Sequence, residues 1–161
     1  MGKNLPIILD IEASGFGKGS FPIEVGYILP NQQRFCCLIK PQPDWLHWDT
    51  EAEQLHKIKR QVLFDCGKPA VEVVRSLNDN LAGKRVYTDA WGQDYAWLHK
   101  LYNAVDCIPS FKLEPLYALL KPGQLANWHS DKNQLQQKLA LTRHRASNDA
   151  ALLQACYAYR L

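Results

Sequence analysis

The sequence predicts an α/β domain with a mixed five-stranded sheet and helices on both faces. Three observations predict it. Residues Leu5 to Ile11 form a nearly continuous apolar run, the pattern of a strand buried on both faces in the middle of a sheet. Two extended runs, Ile23 to Leu29 and Arg34 to Ile39, flank Pro30-Asn31-Gln32-Gln33, whose turn residues predict an antiparallel hairpin. Beyond the hairpin, segments with helical spacing alternate with short strand-like ones.

In order along the chain, Phe16 to Ser20 is glycine-rich and reads as a loop. Pro41 and Pro43 end the hairpin, and Thr50 with Glu53 three positions later predicts a capping box opening a short helix through about Ile58. A longer helix follows. Pro69 suits its first turn, Val73, Val74, Leu77 and Leu81 form an apolar stripe, and Gly83 suits the position past its end. Arg85 to Thr88 reads as a short strand and Gln93 to Ala104 as a helix, with Trp97, Leu98, Leu101 and Val105 on its inner side. Ser110 to Leu113 is the last strand. Lys121 to Lys132, polar and broken by Pro122-Gly123, is the most loop-like stretch. Short helices around Gln134 to Leu141 and from about Ser147 to Tyr159 complete the reading, with no internal repeat.

At 161 residues and 47% hydrophobic, the expected organisation is a single domain over residues 1–161 with a substantial core. The apolar run near the start is soon interrupted by Asp10 and Glu12, too early for a signal peptide or membrane span. The expectation is a soluble, cytoplasmic protein with no membrane partner. The five cysteines include no C-x-x-C pair and read as reduced thiols, neither a disulfide framework nor a zinc pattern. A net charge of +3 does not by itself argue for nucleic acid, but acids sequestered in one site would leave the remaining surface more cationic.

The acids fall where apolar residues belong. Asp10 and Glu12 lie two apart on the buried strand, so they share a face, roughly 6.6 Å apart at ~3.3 Å per residue. Asp94 precedes Trp97, Leu98 and Leu101 by three, four and seven residues, inside its helix's apolar stripe; Asp149 repeats this with Leu152, Leu153 and Cys156. Taken singly, each acid has an ordinary explanation as a salt-bridged strand end or a helix cap. Four in one small domain, with His144 beside the last and no basic residue in either helical stripe, need another source of positive charge. Hard divalent cations bind such oxygen clusters, and two ions ~4 Å apart would promote hydrolysis of a phosphodiester.

The residues that carry these acids also resemble known motifs. Ile8-Leu9-Asp10-Ile11-Glu12-Ala13-Ser14-Gly15-Phe16, followed by Ile23-Glu24-Val25-Gly26, resembles the first motif of the DEDDh 3′-5′ exonucleases, the DnaQ-like group of the ribonuclease-H-like superfamily. His144-Arg145-Ala146-Ser147-Asn148-Asp149-Ala150 is similar to the third motif, Asp94-Tyr95-Ala96-Trp97-Leu98 to the second, and Leu55-His56-Lys57-Ile58 to a short helix that ends near the substrate. The resemblance implies a ribonuclease-H-like fold and a 3′-5′ exonuclease acting on single-stranded or short DNA or RNA to release nucleoside 5′-monophosphates. It implies two Mg²⁺ or Mn²⁺ ions on Asp10, Glu12, Asp94 and Asp149, with His144 as general base. It further implies that the backbone of Ala13, Ser14 and Gly15 receives the terminal nucleotide, that Phe16 stacks on or wedges beside its base, and that His56 contacts substrate.

The second motif departs from the family. Many members carry Asn four residues before the Asp and Phe immediately before it, where this chain has Ala90 and Gln93, so Asp89 competes for the fourth place. The stripe of Trp97 and Leu98 favours Asp94, and Asp89 can be a strand-end cap. Lys18, Lys57, Lys59, Arg60, Arg143 and Arg145 could reach phosphates, but none is assigned. Two alternatives stay open: a nuclease fold used as a binding or adapter module without chemistry, and a phosphodiesterase acting on small nucleotides.

Overall fold

The computed structural model describes residues 4–159. In chain order it forms β1 (Ile7–Ala13), β2 (Pro22–Ile28), β3 (Arg34–Leu38), α1 (Thr50–His56), α2 (Arg60–Cys66), α3 (Ala70–Leu81), β4 (Arg85–Thr88), α4 (Trp91–Asn103) and β5 (Lys112–Pro115). A single 3₁₀ turn, Leu116–Leu119, leads to α5 (Pro122–Leu125), α6 (Trp128–Leu139) and α7 (Ala146–Tyr159). The five strands make one sheet in the order β3-β2-β1-β4-β5. β1, β2 and β3 pair antiparallel, whereas β1–β4 and β4–β5 pair parallel, so the sheet is mixed as predicted.

The apolar run of β1 is continuous because both of its faces are covered. Ile7, Leu9, Ile11 and Ala13 enter a core with Val73, Val74, Leu77 and Leu81 of α3 and Trp97, Leu98 and Leu101 of α4. Ile8 points the other way, into a second core with Ile28 and with Ala150, Ala151, Leu153 and Cys156 of α7. Alternation puts Asp10 and Glu12 on this second face. Gly83, at φ +70°, ends α3 in the left-handed conformation that glycine adopts without strain.

Three local expectations are corrected. The capping box from Thr50 and Glu53 does not form: Asp49, in an extended conformation, caps α1 by accepting the Glu51 N–H at 2.8 Å, and Glu53 instead accepts from Trp48 Nε1 at 2.7 Å. Helix α2 was not anticipated. The stretch from Lys121 to Lys132 is mostly helical, with Pro122 opening α5 and α6 beginning at Trp128, six residues before the expected start at Gln134. Trp128 is the one buried residue of α6 and packs near Leu116 and Leu120, so a tertiary anchor holds a helix whose own sequence is polar. Among the described residues no helix is long and apolar enough to cross a membrane.

Candidate active site

The site is built at the carboxyl ends of the adjacent parallel strands β1 and β4, where α/β folds place ligands. Its foundation is the seating of α7 on β2. Asp10 faces Gly26 across the β1–β2 ladder and Glu12 faces Glu24. A Cβ on Gly26 would lie 2.3 Å from Ser147 N and 2.6 Å from Ala146 C, so only glycine lets the start of α7 rest on the sheet. Glu24, 1% exposed, accepts the Ala146 N–H at 2.8 Å, and Arg145 donates to the same carboxylate from Nε at 3.1 Å and Nη2 at 2.7 Å. This buried acid satisfies an otherwise free amide at the N-terminus of α7 and is itself neutralised.

That seating carries Asp149, in the first turn of α7, to Glu12. An oxygen of each carboxylate and a ring nitrogen of His144 lie within 4.8 Å of one another. His144 occupies a left-handed turn at φ +60°, and its backbone N–H donates to Asp149 Oδ2 at 3.1 Å, tying imidazole and carboxylate into one local structure.

Asp94 arrives from the other layer of the fold. It lies in the first turn of α4, is 1% exposed, and accepts a hydrogen bond from Thr88 Oγ1 at the end of β4. Asp89, just beyond β4, borders the same site but pairs with Lys132 of α6 at 3.0 Å. Asp94 and Asp89 both lie near Asp10, and of the two only Asp89 has a cation partner among the described residues.

Charge is concentrated enough to resist ionisation. Burial, then repulsion from Asp94, Glu12, Asp149 and Asp89, pushes Asp10 well above the usual carboxylate range. Burial and then Asp149, Glu24 and Asp94 raise Glu12 to about 8, against a smaller opposing effect of Arg143. Burial raises Asp94 to about 7 although Thr88 and an Ile11 backbone hydrogen bond pull it down. Asp149 is also raised by burial, with Arg143 and His144 opposing. The expectation that these acids lack basic partners is corrected at Asp149: Arg143 Nε donates to its Oδ1 at 3.0 Å. The partner comes from the loop before α7, which a reading of the helical stripe could not include. Among the described residues Asp10, Glu12 and Asp94 have no ion pair.

A cleft of ≈ 380 Å³ opens over Asp10, Glu12, Asp94 and His144. Ala13, Gly15 and Phe16 line one side, and Ala52, Leu55 and His56 of α1 another. Phe16 is 66% exposed, its ring 6.0 Å from that of Trp97, so it stands at the mouth of the cleft and does not fold into the core. His56 is 3% exposed, and its Nδ1 accepts the Ile58 N–H at 3.0 Å. Nε2 must therefore carry the ring hydrogen, and it is buried beside the cleft with no protein partner. Burial also lowers the pKa of His56, which favours this neutral form.

Among the expected substrate contacts, Ser14 differs from its neighbours Ala13 and Gly15. It is fully buried and does not line the cleft. Its Oγ accepts the Phe21 N–H at 3.0 Å and bonds His47 Nδ1 at 2.8 Å, while its backbone N–H and C=O engage Phe21 and Asp49. Ser14 pins the loop; Gly15 next to it, at φ +149° and with a virtual Cβ 2.6 Å from Asp49 Cβ, lets the two loops meet. Gln93, Trp97, Lys132 and Arg143 also line the cleft and were not named as site residues. Lys132 was missed because its segment read as loop; Arg143 was visible as a basic neighbour of His144 but carried no signal of its target. A larger groove of ≈ 520 Å³ near Leu5, Ile28 and Leu135 offers no carboxylate, imidazole or thiol among the described residues.

No family model matches the sequence, and no curated protein is detectably similar to it. Solved structures are similar in fold. Exonuclease I from E. coli in complex with a dA16 oligonucleotide superposes with a TM-score of 0.71 at 11% identity, over 95% of this chain and 40% of that one. The zinc-ion-bound form of the E. coli ExoI–ssDNA complex gives 0.68 at 11% identity, over 96% and 40%. A moderately thermophilic exonuclease I from Methylocaldum szegediense gives 0.58 at 17% identity, over 75% and 29%. The chain thus spans about 40% or less of the length of these neighbours. At such identities the likeness concerns the course of the backbone, and on that ground the chain has a ribonuclease-H-like fold like that of these exonuclease I structures.

Proposed function

We propose that this chain is a metal-dependent 3′-5′ exonuclease that removes nucleoside 5′-monophosphates from single-stranded or short nucleic acid. One observation carries the reading: Asp10, Glu12 and Asp94 line one cleft without an ion pair among the described residues, and Asp149, held by Arg143, lies beside Glu12. The donor set fits divalent metal. Asp10 and Glu12 have raised pKa values and no ion pair, as expected of oxygen ligands awaiting a cation, and Glu12, Asp149 and His144 are close enough to share one. When bound, two Mg²⁺ or Mn²⁺ ions on Asp10, Glu12, Asp94 and Asp149 would activate water and stabilise the leaving oxygen.

The chain's own residues supply the rest. His144 takes the proton of the attacking water from a position set by its N–H bond to Asp149. His56 Nε2–H is a ready donor for an oxygen of the terminal nucleotide, desolvated in advance and fixed in one tautomer. Phe16 and Leu55, both exposed at the cleft, offer apolar surface to the terminal base, while Ala13 and Gly15 leave room for its sugar. The fold neighbours solved with oligonucleotides support a single-stranded substrate. One observation favours a binding module without chemistry, namely that Arg143 already occupies Asp149.

The test is digestion of 5′-labelled single-stranded DNA and RNA of several lengths, with Mg²⁺, Mn²⁺ or chelator. The expected result is a ladder shortening from the 3′ end in either metal and none with chelator. Tight binding of the oligonucleotides without cleavage would replace the enzyme by the binding module, and cleavage of dinucleotides alone by a small-nucleotide phosphodiesterase.

A further inference from the structure

Arg143 and Arg145 flank His144 and hold different acids in different ways. Arg145 grips Glu24 through two nitrogens, and Glu24 belongs to the seating of α7. Arg143 touches Asp149 through Nε alone, at 3.0 Å, while its Nη1 donates to Gln136 of α6 at 3.0 Å. Its side chain is 26% exposed and borders both the main cleft and an adjoining cavity of ≈ 50 Å³ that Asp10, Asp89, Lys132 and Asp149 also line.

The two oxygens of Asp149 are not equally available. Oδ2 accepts a main-chain N–H held by the turn at His144, and releasing it would require the backbone to move. Oδ1 is held by a long side chain that can leave by changing rotamers. A divalent ion between Glu12 and Asp149 would approach this guanidinium closely, and two cations ~4 Å apart repel strongly where water is scarce. Sharing is therefore disfavoured relative to exchange. The nearest direction of release is the cleft that Arg143 already lines, where a planar guanidinium suits a phosphate.

We propose that Arg143 is an exchangeable counter-ion, which neutralises Asp149, yields Oδ1 to a divalent cation, and turns into the cleft to bind the backbone phosphate of the nucleic acid. Lys132 does not share this role, because its partner Asp89, unlike Asp149, is not in the group close enough to share one ion with Glu12 and His144. The exchange limits the affinity for metal alone and makes metal and nucleic acid bind cooperatively, since the cation frees the group that holds the phosphate. The inference rests on the reading of the four acids as a metal site.

Calorimetric titration of Mn²⁺ into wild type, Arg143→Gln and Arg143→Lys, without nucleic acid, tests the first half. Arg143→Gln should bind Mn²⁺ roughly tenfold more tightly than wild type, with Arg143→Lys between them. In the wild type, NMR of the arginine Nε–H should show the Arg143 signal losing its Asp149 bond as Mg²⁺ is added, a readout that does not depend on a variant folding. Anisotropy of a single-stranded oligonucleotide with phosphorothioate linkages, in Mn²⁺, tests the second half: Arg143→Gln should bind several-fold more weakly, with a salt slope reduced by about 0.7. Equal or weaker Mn²⁺ binding by Arg143→Gln, with an unchanged Arg143 signal in the wild type, overturns the exchange while leaving the nuclease reading intact. Failure of wild type and variants alike to bind Mn²⁺ or Mg²⁺ overturns both.

Discussion

The two faces of β1 divide the interests of the molecule within seven residues. On one face Ile7, Leu9, Ile11 and Ala13 pack against α3 and α4. On the other, Ile8 packs and the next two outward positions carry Asp10 and Glu12. Burial stabilises the first face, at ~25 cal/mol per Å² of apolar surface. On the second, burial and mutual repulsion raise the carboxyl pKa values, so ionised acids there weaken the fold when no cation is bound. A strand can meet both demands because its side chains alternate: the apolar face secures the position of a face that is electrostatically unfavourable by itself.

Substitutions should separate the two faces. The largest effect is expected for Asp10→Ala, which should lower nuclease turnover by a factor on the order of 10³ or more while leaving the chain folded. Leu9→Ala should do the reverse. A fully buried leucine removed from this core costs about 2–5 kcal/mol in a denaturant titration, with turnover per folded molecule largely kept. If both substitutions damaged stability and turnover equally, the division between the faces would be false.

Gly26→Ala sharpens the comparison by acting on the layer that brings Asp149 to Glu12. The new methyl meets backbone at 2.3 Å, so α7 must shift, and a loss of about 1–3 kcal/mol is expected together with weaker Mn²⁺ binding. Normal metal affinity in this variant would show that the seating of α7 does not position the acids.

The smallest effect is a dependence on pH. With Glu12 at about 8 in the folded chain against an ordinary 4.5, the folded state holds protons that the unfolded state has released. Stability should therefore fall as pH rises from about 5 to 8 without divalent metal, and saturating Mg²⁺ should remove much of that slope. Asp94, raised to about 7 by burial, acts in the same sense, so Asp94→Asn should raise Tm at pH 8 without metal, by about 2–4 °C per kcal/mol relieved, and abolish the benefit of Mg²⁺. A Tm that rises with pH over this range would contradict the charge distribution described.

Much of this could be read from local pattern. The two-residue spacing of Asp10 and Glu12 and the helical spacing of Asp94 and Asp149 within their stripes are properties of a few consecutive residues, and the strands and helices that carry them follow from the same periods. Glu24 shows the boundary. It was visible inside a motif, but that it would cap α7 from 122 residues away in sequence was not.

The amino-acid order alone thus determined the buried central strand, the hairpin, the helices α3, α4 and α7, and which acids would face inward, because backbone geometry repeats every two or 3.6 residues and solvent sorts side chains by that repeat. Only the tertiary structure decided that α6 would be helical around Trp128, that Ser14 would pin a loop, that Asp89 would be claimed by Lys132, and that Arg143 would take Asp149. Each of these depends on which distant group comes within about 3 Å, the range at which a hydrogen bond or ion pair acts, and no local period encodes that.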